Sequence, residues 1–177
     1  MEFMRTLFIL ISLISFTFSQ VIRIGTIDTE LSEYKSEVFE SGLIFGLGYD
    51  FTLFDIPTDL ELFYSSNNFL NENGSYHVQL QVPLSFRFYL KDKIFLRAGV
   101  QYDIPLDFRI FDEDFSKYTD PTFSLIYGFG VTLKFAEDSN IFIEVRYISP
   151  QQNYLNVDDE DRFGSLKQFN ILLGFKL

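Results

Sequence analysis

Cysteine and tryptophan are absent from this 177-residue chain, and it has a single histidine. Without cysteine there is no disulfide framework, no thiolate metal site and no cysteine nucleophile. One histidine excludes a zinc site of the usual multi-histidine kind. Basic residues are scarce as well: 14 Lys and Arg stand against 25 Asp and Glu, for a net charge of -11. A general nucleic-acid binder needs the opposite balance. What the chain has in abundance is aromatic: 23 Phe and 10 Tyr, too many for a disordered acidic polypeptide. The length fits one domain. No internal boundary, phosphate loop, coiled coil or peptidoglycan-binding segment is visible.

The first residues read as an address. Arg5 precedes an apolar run from Leu7 to Phe16, and Thr17 and Ser19 are small residues two apart. This is the layout of a secretory signal peptide. The run is short for a membrane-spanning helix, which needs about 20 apolar residues. Cleavage is expected after Ser19, with residues 1–19 as signal and 20–177 as the mature domain. An uncleaved anchor helix is the alternative. No cysteine marks a lipid attachment point.

Beyond Gln20 the apolar residues alternate. In 42–54 the odd positions are Leu43, Phe45, Leu47, Tyr49, Phe51 and Leu53, while the even ones include Gly46, Gly48, Asp50 and Thr52. Strand side chains point to opposite faces in turn, so one face is apolar and the other small or polar. The pattern recurs from Tyr76 (Val78, Leu80, Val82, Leu84, Phe86, Phe88 out of phase with His77, Gln79, Gln81, Pro83, Ser85, Arg87). It recurs again from Ile94, where the apolar parity runs from Leu96 to Phe108, and from Phe123, at 60–64, at 141–147 and at 169–177. Helical spacing is absent. Seven strands are clear, and Val21–Thr26 predicts a weaker eighth. Asp55–Pro57, Lys91–Lys93 and Ala136–Asn140 read as short turns; 28–40, 66–74, 109–121 and 150–164 read as longer polar loops.

Alternating long and short connections predict an eight-stranded antiparallel up-and-down transmembrane β-barrel, all-β, with short periplasmic turns and longer external loops. A soluble lipocalin-like barrel shows the same alternation turned inside out. The polar parity favours the membrane reading. It is rich in Gly, Ser and Thr rather than in the Lys and Glu of a watered surface. The apolar parity would otherwise demand an interior larger than eight strands enclose. Tyr64, Tyr76, Tyr102, Tyr127, Tyr147 and Phe169 are candidate girdle residues at the membrane interfaces.

Charge divides into zones. The four long loops carry net charges of -4, -1, -2 and -3, nearly all of the total. On the inward parity Asp50, Asp59, Glu61 and Glu144 oppose Arg87, Arg97, Lys134 and Arg146, all near short turns. Buried charges must pair or stay hydrated. A lumen salt-bridge network is therefore expected at the periplasmic end, with Glu61, Arg87, Arg97, Glu144 and Arg146 as its members. It reads as a structural plug, or alternatively as a gate.

Several segments together carry a family likeness. They are Ser19-Gln20, Phe45-Gly46-Leu47-Gly48, Leu60-Glu61-Leu62-Phe63-Tyr64-Ser65, Gln81-Val82-Pro83-Leu84, Tyr127-Gly128-Phe129-Gly130, Ile143-Glu144-Val145-Arg146-Tyr147 and Leu173-Gly174-Phe175. In this order they resemble the small outer-membrane β-barrel proteins common in Bacteroidota, related in architecture to the OmpA transmembrane domain and OmpX. The resemblance spans about residues 20 to 177. It implies a Gram-negative outer membrane, insertion by the barrel-assembly machinery, and no single activity. The chain departs from the family in closing on Leu177 rather than on an aromatic residue.

No catalytic, cofactor or metal residues are expected. His77 with Ser75 lacks a third orienting group for acyl transfer. Asp112–Asp114 and Asp158–Asp161 are acidic, but the second stretch has Phe163 where a calcium loop needs a ligand. Asn71–Ser75 is turn chemistry. The functional readings are a structural or interaction barrel displaying acidic loops, a narrow pore for small solutes or ions, and a soluble carrier or lipid-modifying enzyme. Expected partners are outer-membrane lipid and lipopolysaccharide, the assembly machinery and an extracellular protein, with no nucleic acid and a monomeric chain. Mass spectrometry of the protein purified from membranes is expected to find Gln20 at its N-terminus; a retained leader would refute the cleavage site.

Overall fold

The computed structural model describes residues 20–32, 38–69, 76–110, 113–114, 116, 119–134, 140–152 and 165–176. The expected leader and the centres of the four long loops lie outside these residues. So do Ser75, Asp112, Asp158 to Asp161 and the turn at 135–139. Eight long strands make the fold: β1 (Gln20–Ser32), β2 (Val38–Leu53), β3 (Ile56–Phe69), β4 (Tyr76–Lys91), β5 (Ile94–Ile110), β6 (Thr122–Lys134), β7 (Asn140–Pro150) and β8 (Ser165–Lys176). Each pairs antiparallel with the next, and β1 pairs with β8, so the sheet closes into a barrel. The two-residue strand Glu113–Asp114 extends the outer end of β5.

The alternation becomes two surfaces. Leu43 (69% exposed), Phe45, Leu47, Leu62, Tyr64, Val100, Tyr127, Phe129 (56%), Ile143, Tyr147 and Phe169 point outward. A continuous apolar coat of this extent does not face water in a soluble monomer. On a closed antiparallel barrel it is the surface that meets acyl chains.

The inward face is more apolar than the sequence suggested. Ile27, Ile44, Phe63, Phe95, Ile126, Phe142, Ile148 and Leu172 are all buried in the lumen. The inward glycines make room for them. A Cβ on Gly46 would collide with the Phe63 ring, and one on Gly130 with the Phe95 ring. Small residues here are therefore seats for large ones on neighbouring strands.

Several expectations change. The weak first strand is 13 residues long and forms the closing seam, with twelve register pairs to β8. Its length places Asp28 and Glu30 on the ladder rather than in a loop, because the β1–β2 pairing continues outward to Leu31 and Val38. The first short turn is Phe54-Asp55, flanked by the Leu53–Ile56 pair, instead of 55–57. Both turn residues have positive φ, 50° and 64°, the mirror-image turn whose twist matches the hairpin. Finally, Phe108 faces inward. The β4–β5 register jumps between Val78–Asp107 and Gln79–Pro105, leaving Leu106 as an extra residue. Such a bulge reverses the side-chain parity beyond it.

Replacing Phe129 by Arg in the apolar band is expected to destabilise the lipid-embedded barrel by about 2–4 kcal/mol. Denaturant unfolding in lipid vesicles measures it, and a neutral or stabilising effect would indicate a water-exposed face.

Candidate functional site: a charged layer across the lumen

The lumen is layered. At the short-turn end Val21, Phe95 and Phe142 form an apolar floor. Above it the odd-numbered strands each contribute charge: Arg23 from β1, Asp59 and Glu61 from β3, Arg97 from β5, Glu144 and Arg146 from β7. The burial pattern explains their meeting. Each lies on the inward parity close to the short-turn end, so closure of the barrel points them at one another.

The contacts are dense. Glu61 takes Arg146 Nη1 at 2.6 Å and is ion-paired with Arg23. Glu144 takes Arg146 Nε at 2.7 Å and Arg23 Nη1 at 3.1 Å, and is ion-paired with Arg97. Asp59 takes Arg97 Nη1 at 2.7 Å and Arg87 Nε at 3.0 Å. Toward the short-turn end Arg87 reaches Asp50 at 2.9 Å, and Lys176 Nζ reaches the same carboxylate oxygen at 3.0 Å. Arg97 also donates to Ser85 Oγ.

Aromatic faces enclose the layer. The guanidinium carbons of Arg23 and Arg87 lie 5.6 and 5.2 Å from the Phe142 ring centre, and that of Arg97 lies 5.8 Å from Phe95. Arg146 lies 5.4 Å from Phe63. These are cation–π distances, at which a ring face replaces part of the lost hydration. Phe63 then joins Ile27, Ile44 and Leu172 in a second apolar cluster. The charges thus sit in a closed compartment where every carboxylate has at least two cationic partners.

Of the five expected members, Glu61, Arg97, Glu144 and Arg146 come together directly, and Arg87 joins through Asp59 and Asp50. Lys134 does not: it is exposed at the end of β6. Arg23 and Lys176 are the members that the sequence reading missed. Arg23 shares its parity with Val21, Gly25 and Ile27, a set too mixed to announce an inward face. Lys176 alternates with Leu173 and Phe175 in the expected way but lies one residue from the chain end.

Below the floor the barrel opens into a cavity of about 290 Å³, lined in part by Asp50, Arg87, Tyr89, Thr132 and Lys176. Above the second apolar cluster the lumen is polar and, apart from Asp103, neutral. Gln81 Nε2 donates to Gln168 Oε1 at 2.9 Å across the barrel from β4 to β8, and Asn67 Nδ2 donates to Thr29 Oγ1 at 2.7 Å. His77 is fully buried there, edge-on to Phe108 at 5.2 Å between ring centres.

No protein-family model matches the chain, and no curated protein sequence does. Solved structures match over nearly its whole length. Neisserial surface protein A (NspA) is 9% identical, with a TM-score of 0.59 over 89% of this chain and 96% of that one. Ail, the attachment invasion locus protein of Yersinia pestis, is 16% identical, with a TM-score of 0.50 over 90% and 97%. The likeness is one of fold: this chain is a small eight-stranded β-barrel of the outer-membrane type.

Removing one member of a buried ionic group strands its partners, at a cost of about 3–5 kcal/mol. Arg97→Ala is expected to lose that much stability, read as earlier unfolding in urea and loss of heat-modifiable mobility on SDS gels. Glu144→Gln combined with Arg97→Met should recover part of the loss, because it removes one charge of each sign and leaves the layer's charge balance unchanged.

Proposed function

We propose that the protein is an integral outer-membrane anchor without enzymatic activity, which displays acidic loops at the cell surface for contact with a partner protein or with lipopolysaccharide. The observation that carries this reading is the occluded lumen. Two apolar clusters with a charged layer between them fill the bore, so the barrel is suited to holding its loops rather than to passing solutes. Eight strands enclose room for side chains and little more.

Further features agree. Asp28 and Glu30 carry the acidity of the first external hairpin down onto the strands, where Glu30 pairs with Lys167 at 3.8 Å. The name of the similar Yersinia protein records attachment and invasion. The sequence motifs extend the reading to the small barrels common in Bacteroidota, with a cleaved leader and insertion by the assembly machinery. A lipid-modifying role through His77 is disfavoured by its burial, since an acyl-transfer base must reach its substrate.

A second reading takes the charged layer as a gate, because it spans the bore above an open cavity. Single-channel recording in planar bilayers separates the two. The anchor reading expects no conductance above background from the purified protein and none from Arg97→Ala. Discrete channels in the wild type, or a large new conductance in a normally stable Arg97→Ala, would establish the gate and overturn the anchor.

A further inference from the structure

Among the described residues, four carboxylates with at most 2% exposure lie in the lumen: Asp59, Glu61, Asp103 and Glu144. Three belong to the charged layer. The fourth, Asp103, is 2% exposed and stands apart in the neutral outer half. Gln101 Nε2 donates to its Oδ1 at 2.7 Å and Ser124 Oγ to its Oδ2 at 3.0 Å. Among the described residues it pairs with no lysine, arginine or histidine. Two neutral donors do not balance a full negative charge removed from water.

The surroundings add to the imbalance. The ladders place Gln81 of β4 opposite Asp103 on one side and Thr122 of β6 opposite it on the other. Directly opposed side chains in a sheet have Cβ atoms about 4.5–5.5 Å apart. Gln81 Oε1 is buried and accepts no hydrogen bond. Gln79, two residues further out and fully buried, has neither amide atom bonded, and the Ser65 hydroxyl at its register partner is likewise unbonded. The carboxylate therefore shares this part of the lumen with buried oxygens of Gln81, Gln79 and Ser65 that have no hydrogen-bond partner. Oxygen-rich surroundings of this kind suit a hard cation. A single carboxylate with neutral amide oxygens balances one positive charge rather than two.

We propose that the outer half of the lumen binds a monovalent alkali cation at Asp103, with amide oxygens of Gln81 and Gln79 completing its shell. The site is separate from the charged layer and does not depend on the anchor reading.

The test compares thermal unfolding of the mature protein in detergent micelles in sodium, potassium and N-methylglucamine chlorides at one ionic strength. N-methylglucamine, an organic cation far larger than either alkali ion, is the control. The midpoint is expected to rise with sodium or potassium, by a constant increment per tenfold concentration once the site fills. Asp103→Asn should abolish the dependence and be more stable than the wild type in N-methylglucamine. Sodium-23 resonance broadening should accompany the wild type and vanish in the variant. Gln79→Leu, which spares the carboxylate, should shift the dependence to higher concentration and serves if Asp103→Asn does not fold. The proposal is overturned if stability is the same in all three salts, if the dependence survives in Asp103→Asn, or if Asp103→Asn is less stable than the wild type in every salt. The last result would make Asp103 only a hydrogen-bond acceptor, or a carboxyl neutralised by a proton.

Discussion

Everything in this molecule follows from its outer surface meeting hydrocarbon. Lipid offers no partner for an exposed N–H or C=O, so a sheet that crosses it must close. The β1–β8 seam achieves this, and its demand explains why a strand of unremarkable composition, Gln20–Ser32, is ordered along 13 residues. A strand in the middle of a sheet needs apolar alternation on at least one face to be recognised. A closing strand needs two neighbours in register, and the sequence around Arg23 supplies these through β2 and β8.

Closure at eight strands then dictates the interior. The bore is too narrow for bulk water and must be filled by side chains. Apolar filling alone would suffice, yet the chain places arginines and carboxylates there. Their desolvation is offset only because each carboxylate of the charged layer meets at least two cationic side chains and because Phe63, Phe95 and Phe142 present ring faces to the cations. The inward glycines serve the same end. Gly174 leaves room for Arg23 Nη1, 3.0 Å from where a Cβ would stand, and Gly48 leaves room for Glu61.

The fold was largely legible because period-two alternation survives in every strand. So was most of the charged layer, since Glu61, Arg97, Glu144 and Arg146 share the inward parity and all lie near short turns. The errors have physical causes. Phe108 was assigned to lipid because a bulge at Leu106 leaves no mark in an alternation that looks unbroken. Lys134 has inward parity but sits where the strand ends, so parity no longer fixes its direction. Arg23 escaped notice because its own strand shows no clear polar parity and its partners, Glu61 and Glu144, lie on strands that only closure of the barrel brings beside it. The large inward residues were hard to foresee for a related reason: Phe63 and Phe95 occupy space left by Gly46 and Gly130 on other strands, a relation that no single segment displays.

The charged layer also bears on how the barrel is built. Arg23 and Glu144 are separated by 121 residues, and each odd-numbered strand brings a charge whose partners lie on the others. Only the closed barrel brings Arg23 against both Glu61 and Glu144. The layer therefore couples the two ends of the chain, tying the first strand to the seventh through side chains as the seam ties it to the eighth through the backbone.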